Sequence, residues 1–492
     1  MSLARKAVRG AVWTILSSVG ARMVGVVGTL LLTHLIAPDV VGEVSVATVL
    51  VLSANQLSSA GFGQYVVANP NLSAPRVFQV AMLHLGFGLA GIIAVVLLAV
   101  PLEPLFDSPS MAGYVPGLAC SVLLNRMSII PERVLVREMK FAWASLARTC
   151  GELTYVATAV GFAWRGWGGE AIVFGNVTRS LVRTVLIIWA SDRSKWFAPC
   201  RLERELVRDV FAFGTPLWIG SSAAFFAGKW DNLVFSAIFG PRELGLYNLG
   251  YNLADIPTSH VGEHIGDVLL PSFTRMDHDG QRRALVRSAA LLGLIVFPLA
   301  VGLGAVADTL VAALFNQLWQ GVAAYIAILS ALSVARPVGW IIFSFLQARH
   351  RTRAAMVLEL GKLAAILGAV ALLSVFGPYW AATGVGIGFT FHALASMWLI
   401  EQSDGIPMKK MLAGMGGPLA ACVPMVGAVM AVRYGLGLTG DHPLVGLTLE
   451  VVAGAVTYVA SALVLARAAS ADFLGLLRKS FRSAPPVSQP EQ

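Results

Sequence analysis

The amino-acid sequence predicts an all-α polytopic membrane protein, and three observations lead there. Of 492 residues, 57% are hydrophobic and 13% are charged, against about 25% charged in ordinary soluble domains. Apolar runs of about 20 residues recur along the whole chain, each long enough to cross a hydrocarbon core about 30 Å thick. These runs are continuous, whereas a transmembrane barrel would show alternation over about ten residues.

About fourteen spans are expected. The first six run over 11–37, 44–66, 77–100, 112–130, 141–163 and 171–190. The next six cover 210–239, 244–270, 288–307, 321–346, 354–376 and 379–400, and a last pair covers 411–432 and 444–465. The first run follows Arg5, Lys6 and Arg9 in the manner of a signal peptide. It is too long for an h-region and has Arg22 near its centre, so it reads as an uncleaved span.

Basic residues alternate between loops. Arg133, Arg137 and Lys140, then Arg193, Lys195, Arg201, Arg204 and Arg208, then Arg349, Arg351 and Arg353 all fall on one side. The other side holds only Arg165, Arg242 and Arg433. The positive-inside rule then places both termini in the cytoplasm. The net charge of +9 is thereby explained by loops, and no nucleic acid is expected as a partner. Four scattered cysteines, Cys120, Cys150, Cys200 and Cys422, have neither disulfide nor metal-knuckle spacing.

An internal repeat organises the spans. His34-Leu-Ile-Ala-Pro-Asp-Val-Val-Gly42 corresponds to Ala237-Ile-Phe-Gly-Pro-Arg-Glu-Leu-Gly245. Each is the outside turn after the first span of a six-span set, so the halves share one orientation. The expected plan is a six-helix lobe over 1–190, a cytoplasmic linker over 191–209 and a second six-helix lobe over 210–402. Two additional helices over 403–466 and a tail over 467–492 complete it. The tail, with Pro485, Pro486 and Pro490, is expected to be disordered.

The segment after Gly240-Pro241 carries Asn248, Asn252, Asp255, Ser259, Glu263 and Asp267. Spacings of three and four put them on one face of a helix. In so apolar a chain that face is expected to line an internal cavity.

Eight basic residues fall within spans: Arg22, Arg126, Arg148, Arg179, Arg183, Lys229, Arg336 and Lys362. Facing lipid at full depth they would cost on the order of 20 kcal/mol together, so they must be paired, snorkelling or in contact with water. Arg148 with Glu152 and Lys362 with Glu359 can pair within a helix, and Arg126 can snorkel. Arg22, Arg179, Arg183, Lys229 and Arg336 have no such partner. They are the candidate binding residues for an anionic substrate, because Arg holds phosphate through forked donors. Asp231, Asp255, Glu263 and Asp267 are the candidate charge partners, or sites of coupling to an H+ or Na+ gradient.

Other signals are discounted. His260-Val-Gly-Glu-His264 matches a zinc-peptidase pattern, but it lacks a third ligand and lies in a span, so no metal is expected. Gly384-Val-Gly-Ile-Gly388 follows no strand and reads as close helix packing. No catalytic constellation is present, so no enzyme and no cofactor is expected.

Three stretches resemble the polysaccharide-biosynthesis flippases (the Wzx-type, PST branch of the MOP superfamily). They are Ala21-Arg22 through Gly42, Leu244-Gly-Leu-Tyr-Asn-Leu-Gly-Tyr-Asn-Leu253 with Leu270-Pro-Ser-Phe-Thr-Arg275, and Trp319 through Leu329 followed by Arg336-Pro337. The resemblance implies two six-helix lobes in a V around a central cavity, plus two C-terminal helices. It also implies alternating-access transport of a polyprenyl-diphosphate-linked glycan, carried on undecaprenol, across the bacterial inner membrane. Membrane lipid, a polysaccharide polymerase and glycosyltransferases of the same pathway are the implied partners. The alternative is a MATE-type multidrug exporter, which would favour an acidic cavity and twelve spans. A membrane glycosyltransferase would be expected to show a long outside loop, and none is present.

Overall fold

A computed structural model describes Gly20 and residues 23–69, 71–138, 140–273, 276–349, 351–436 and 442–482. Side chains are described at all of these except 216, 217, 257, 259–272, 352, 436, 477 and 479–482. The described residues form helices joined by turns, with no strand among them. Among the described residues, ten helices are long and apolar enough to cross a membrane, or eleven if the bent pair Arg204–Thr215 and Trp218–Ile256 is one span. The protein is therefore a multi-pass membrane protein. Apolar side chains stay exposed along the helices, Leu97 at 71% and Leu372 at 73%. Trp164 and Trp189 are exposed near helix ends, where amphipathic rings suit the membrane–water boundary.

Contacts divide the chain into two units, residues 1–248 with 315–319 and residues 249–314 with 320–492. The division falls inside a helix and not in the 191–209 linker. The first unit contains α1 (Met23–Leu35), α2 (Pro38–Leu57), α3 (Phe62–Ala68), α4 (Ala74–Phe106), α5 (Met111–Arg137), α6 (Phe141–Trp164) and α7 (Gly169–Ala190). It also takes α8 (Arg204–Ala227) and the start of α9 (Trp230–Phe273). Pro38 in the first turn of α2 has no N–H to lose there, and Asp39 beside it complements the helix dipole. Phe62, Val66, Val80, Val134, Leu206 and Val210 form a core where α3, α4, α5 and α8 meet. In the linker, Lys195 binds Glu138. Burial opposes the charge on Glu138, but hydrogen bonds from Lys140 and Lys195 outweigh it and hold the carboxyl below its ordinary range.

α9 is one helix interrupted at Gly240, whose φ of 78° lies in the left-handed region that favours glycine. The repeat seen in the sequence meets itself here. A Cβ on Gly42 would stand 1.8 Å from the Pro241 carbonyl oxygen, and one on Gly245 would stand 1.9 Å from that of Pro38. Each turn's glycine thus receives the other turn's proline carbonyl.

The second unit contains the rest of α9, α10 (His278–Ala305), α11 (Ala307–Leu314), α12 (Val322–Leu332), α13 (Arg336–Ala348), α14 (Thr352–Leu373) and α15 (Pro378–Asp404). α16 (Met408–Leu436), α17 (Pro443–Leu465) and α18 (Arg467–Arg482) follow. Asp277 caps α10 by accepting from the Gly280 N–H at 3.0 Å. Phe273, Leu292, Ile341, Phe345, Met397 and Ile400 form the main core of this unit. Gly384 and Gly388 set α15 against α14, since Cβ atoms there would lie 2.7 Å from the Ala369 carbonyl carbon and 2.4 Å from Ile366 Cγ1. The glycine run therefore serves close helix packing, as its sequence suggests.

The expected tail is in part ordered: 467–482 is helical, with Ala469 and Phe473 packed on α10, α16 and α17. Arg287 ties it down through Asp472 at 2.9 Å. The prolines that suggested disorder lie beyond it, outside the described residues.

α16 and α17 are fastened by a buried charge cluster. Arg433 donates to both oxygens of Glu450 at 3.1 Å, to Asp308 at 3.1 Å and to the Ala305 carbonyl at 2.6 Å. Thr309 donates to Glu450 at 2.8 Å. With the carboxylate 1% exposed, Arg433→Met is expected to cost about 3–5 kcal/mol, because it strands a buried charge. Adding Glu450→Leu should recover most of that loss, which unfolding followed by tryptophan fluorescence in detergent would measure.

Candidate functional site

Arg336 is the best-built of the candidate cationic positions. A 3-10 turn, Ser333–Ala335, separates α12 from α13 and leaves Arg336 at the head of α13. Its guanidinium pairs with Asp255 and donates a second hydrogen bond to the Tyr251 hydroxyl. Tyr251 and Asp255 are four residues apart, hence on one face of α9. The guanidinium carbon lies 4.9 Å from the Tyr251 ring centre and 4.1 Å from that of Phe389 on α15, within cation–π range. The Arg336 side chain is 8% exposed and that of Asp255 30%. Leu329, Ser333, Val385 and Phe389 line the small cavity beside them. The arrangement holds a charged fork within reach of two rings, with one edge on a carboxylate that a stronger anion could replace.

A second locus lies in the first unit. Arg179 pairs with Glu152 at 2.5 Å and lies over Tyr155 at 5.9 Å. Arg183, one turn on, donates to Glu132 at 2.6 Å and to Asn125 at 2.8 Å. Arg179 remains 42% exposed and Arg183 23%. The local spacing that assigned Glu152 to Arg148 is thus overridden by a cross-helix partner. These bases line no field of bare cations, since each carries its own acid. Arg336 pairs with Asp255 across helices.

Lys229 is half-buried and makes no ion pair among the described residues, while Asp231 accepts from the Tyr247 hydroxyl on a different side. Arg22 and the side chains of Glu263 and Asp267 lie outside the described residues, as do those of His260 and His264. Lys362 pairs with Glu359.

Arg126 does not snorkel. It is 1% exposed and donates to Asn55 Oδ1 and O at 2.6 Å, to Ser58 Oγ at 2.5 Å and to the His84 carbonyl at 2.7 Å. Neutral acceptors alone satisfy it, so it fastens α2, α4 and α5 together. Gly88 gives it room, since a Cβ there would lie 2.4 Å from Nη1. Gly88→Ala is therefore expected to lower stability by about 2 kcal/mol through overpacking. Arg126→Met should itself be destabilising, because Asn55, Ser58 and the His84 carbonyl lose their donor, and the double variant should lose less than the sum of the two by the same unfolding measurement. Sequence spacing gave no sign of this staple, whose acceptors lie 42 to 71 residues away.

The fold is that of the lipid II flippase MurJ in its inward closed conformation, with TM-score 0.73 and 14% identity over 93% of this chain and 99% of that one. A second likeness of fold is to the inward-facing conformation of a multidrug resistance MATE family transporter of the MOP superfamily, with TM-score 0.59 and 13% identity over 78% of this chain and 96% of that one. A family model described as polysaccharide biosynthesis protein matches residues 31–324. The chain belongs to that family. Among relatives, the lipopolysaccharide biosynthesis protein WzxC of Escherichia coli (strain K12) is 23% identical over 89% of both chains. The succinoglycan biosynthesis transport protein ExoT of Rhizobium meliloti (strain 1021) is 25% identical over 92% of this chain and 90% of its own.

Proposed function

We propose that this protein is a flippase that moves a polyprenyl-diphosphate-linked oligosaccharide across the bacterial cytoplasmic membrane by alternating access. The observation that carries this reading is Arg336, a nearly buried guanidinium clamped by Asp255, Tyr251 and Phe389. Arg and a diphosphate match as fork to fork, and a doubly charged group can outcompete one carboxylate. The prenyl chain stays in lipid, against the exposed apolar faces. An exporter of cationic drugs would gain nothing from a guanidinium at such a point.

The carrier lipid in this reading is undecaprenyl diphosphate, both termini are cytoplasmic, and polymerase and glycosyltransferases of the same pathway supply and consume the unit. The reading is supported by the basic loops and by family membership. Purified protein in liposomes holding a fluorescent lipid-linked oligosaccharide should speed its appearance in the opposite leaflet well beyond protein-free liposomes. Equal rates in both, across several glycans, would sink the proposal.

A further inference from the structure

A second buried cluster of ionisable groups lies one helical turn from Arg336. Glu359 on α14 is 8% exposed and His392 on α15 is 7% exposed. Glu359 pairs with Lys362 through Oε2, and its Oε1 lies 3.7 Å from His392 Nε2. Glu359, His392 and Ser396 line one small cavity with Gly339 of α13. Ser396 is fully buried there, and its hydroxyl has no hydrogen-bond partner among the described residues. Gly339 is what admits the imidazole: a Cβ at that position would stand 2.9 Å from His392 Cε1.

Lys362 already neutralises Glu359, so packing alone gives no reason to bury an imidazole against the same carboxylate. With neutral His392 the cluster carries no net charge. A proton on Nε2 makes it +1, a state that becomes favourable when negative charge arrives nearby. The helices place such a source within reach. Arg336 precedes Gly339 by three residues on α13, and Phe389 precedes His392 by three on α15. The anion site and the imidazole are therefore braced by the same two helices at successive turns.

We infer that Glu359, Lys362 and His392 form a proton-binding site coupled to the Arg336 site, a step that rests on the flippase reading. His392 Nε2 takes a proton from water on one side when a diphosphate headgroup occupies Arg336, and it returns the proton to water on the other side when the headgroup leaves. Sodium is disfavoured as the coupling ion here because the Lys362 ammonium occupies the position that a metal cation would take on Glu359. The other charged groups around His392 are few. α13 offers Arg336 one turn away, and α14 offers Glu359 and Lys362, with Arg353 exposed at its start. α12 has Tyr325, which faces Tyr379. α16 carries Lys409, Lys410 and Arg433 near its ends and Cys422 in a separate core.

The test uses the full-length protein in liposomes enclosing a pH-sensitive dye, with labelled lipid-linked oligosaccharide and with or without a pH gradient. For the unaltered protein, a gradient acid on the side from which the headgroup is taken up should speed flipping at least tenfold, the reverse gradient should slow it, and flipping should carry protons in the same direction. His392→Gln and Glu359→Gln should keep the gradient-free rate and lose both the stimulation and the proton flux. Lys362→Met should move the pH profile of flipping upward by at least one unit, which a purely structural role would not do. Full gradient stimulation in His392→Gln would overturn the inference while leaving the flippase reading intact. If the unaltered protein flips none of the glycans, that reading fails. Proton uptake on adding a short-chain prenyl diphosphate to detergent-solubilised protein then decides the coupling. Uptake lost in His392→Gln and in Glu359→Gln upholds the coupling, and uptake equal in all three proteins overturns it.

Discussion

Arg336→Lys is expected to cut flipping by about 10- to 100-fold while the protein stays folded. A lysine keeps the charge but not the fork, so it can satisfy Asp255 or a phosphate oxygen with one contact where Arg336 offers two edges. Losing one charge-assisted hydrogen bond costs about 1.5–3 kcal/mol, and that is the fold-change stated, provided the bond forms in the transition state for transport. Arg336→Ala should be worse in a second way. It leaves Asp255 without its cation, although that carboxylate is 30% exposed. The loss of stability should therefore fall near 2 kcal/mol, below the 3–5 kcal/mol of a fully buried pair. Asp255→Asn should do the opposite for binding, since it removes the competitor for the guanidinium. Tighter capture of prenyl diphosphate with slower release is expected, read as a lower Kd together with a lower flipping rate. Arg179→Lys serves as the comparison, because Arg179 is far more exposed and a change under about threefold is expected from so screened a pair. Arg336→Lys at half the normal rate or better would remove Arg336 from the transport step.

Much of this architecture can be read in the chain, and the limits of reading have physical causes. Helices follow from apolar runs, and the interruption of α9 follows from Gly240-Pro241, because backbone preference is local. The Glu359–Lys362 pair is equally legible at a spacing of three. Glu152 shows where legibility stops. In-helix spacing offers it Arg148, but α7 brings Arg179 to 2.5 Å, and no spacing rule says which helices become neighbours. Phe389 and Tyr251 were invisible as parts of the Arg336 site for the same reason, since aromatic residues in an apolar span carry no mark of what they will face. Phe141–Trp164 matches an expected span in position but is not among the helices apolar enough to count as one by composition. The tail erred differently. Its prolines drew the reading toward disorder, while Ala469, Phe473 and Leu476 recur at helical spacing just before them.

Gly42→Ala and Gly245→Ala are each expected to destabilise the protein by about 2–4 kcal/mol, and the two together by much less than the sum. Each new methyl would stand under 2 Å from a proline carbonyl oxygen, where ordinary carbon–oxygen contacts need about 3.3 Å. The two turns must then part by more than 1 Å, an overpacking at the severe end of the usual range. Helix propensity returns about 1 kcal/mol, as both glycines lie within helices. The reciprocity of the contact makes the pair diagnostic. Once one methyl has pushed the turns apart, the other finds space already made, so the coupling energy in a double-mutant cycle should exceed about 1 kcal/mol. The repeat adds that the two single variants should match closely, since each copy makes the same contact in exchange. Gly86→Ala and Gly161→Ala are the controls, because a Cβ there meets nothing within 4 Å and should leave stability unchanged or slightly raised. Unfolding temperatures of the purified variants in one detergent would measure all five. Strictly additive losses at Gly42 and Gly245 would mean that the turns yield independently, and the reciprocal seat that joins the two repeats would have to be abandoned.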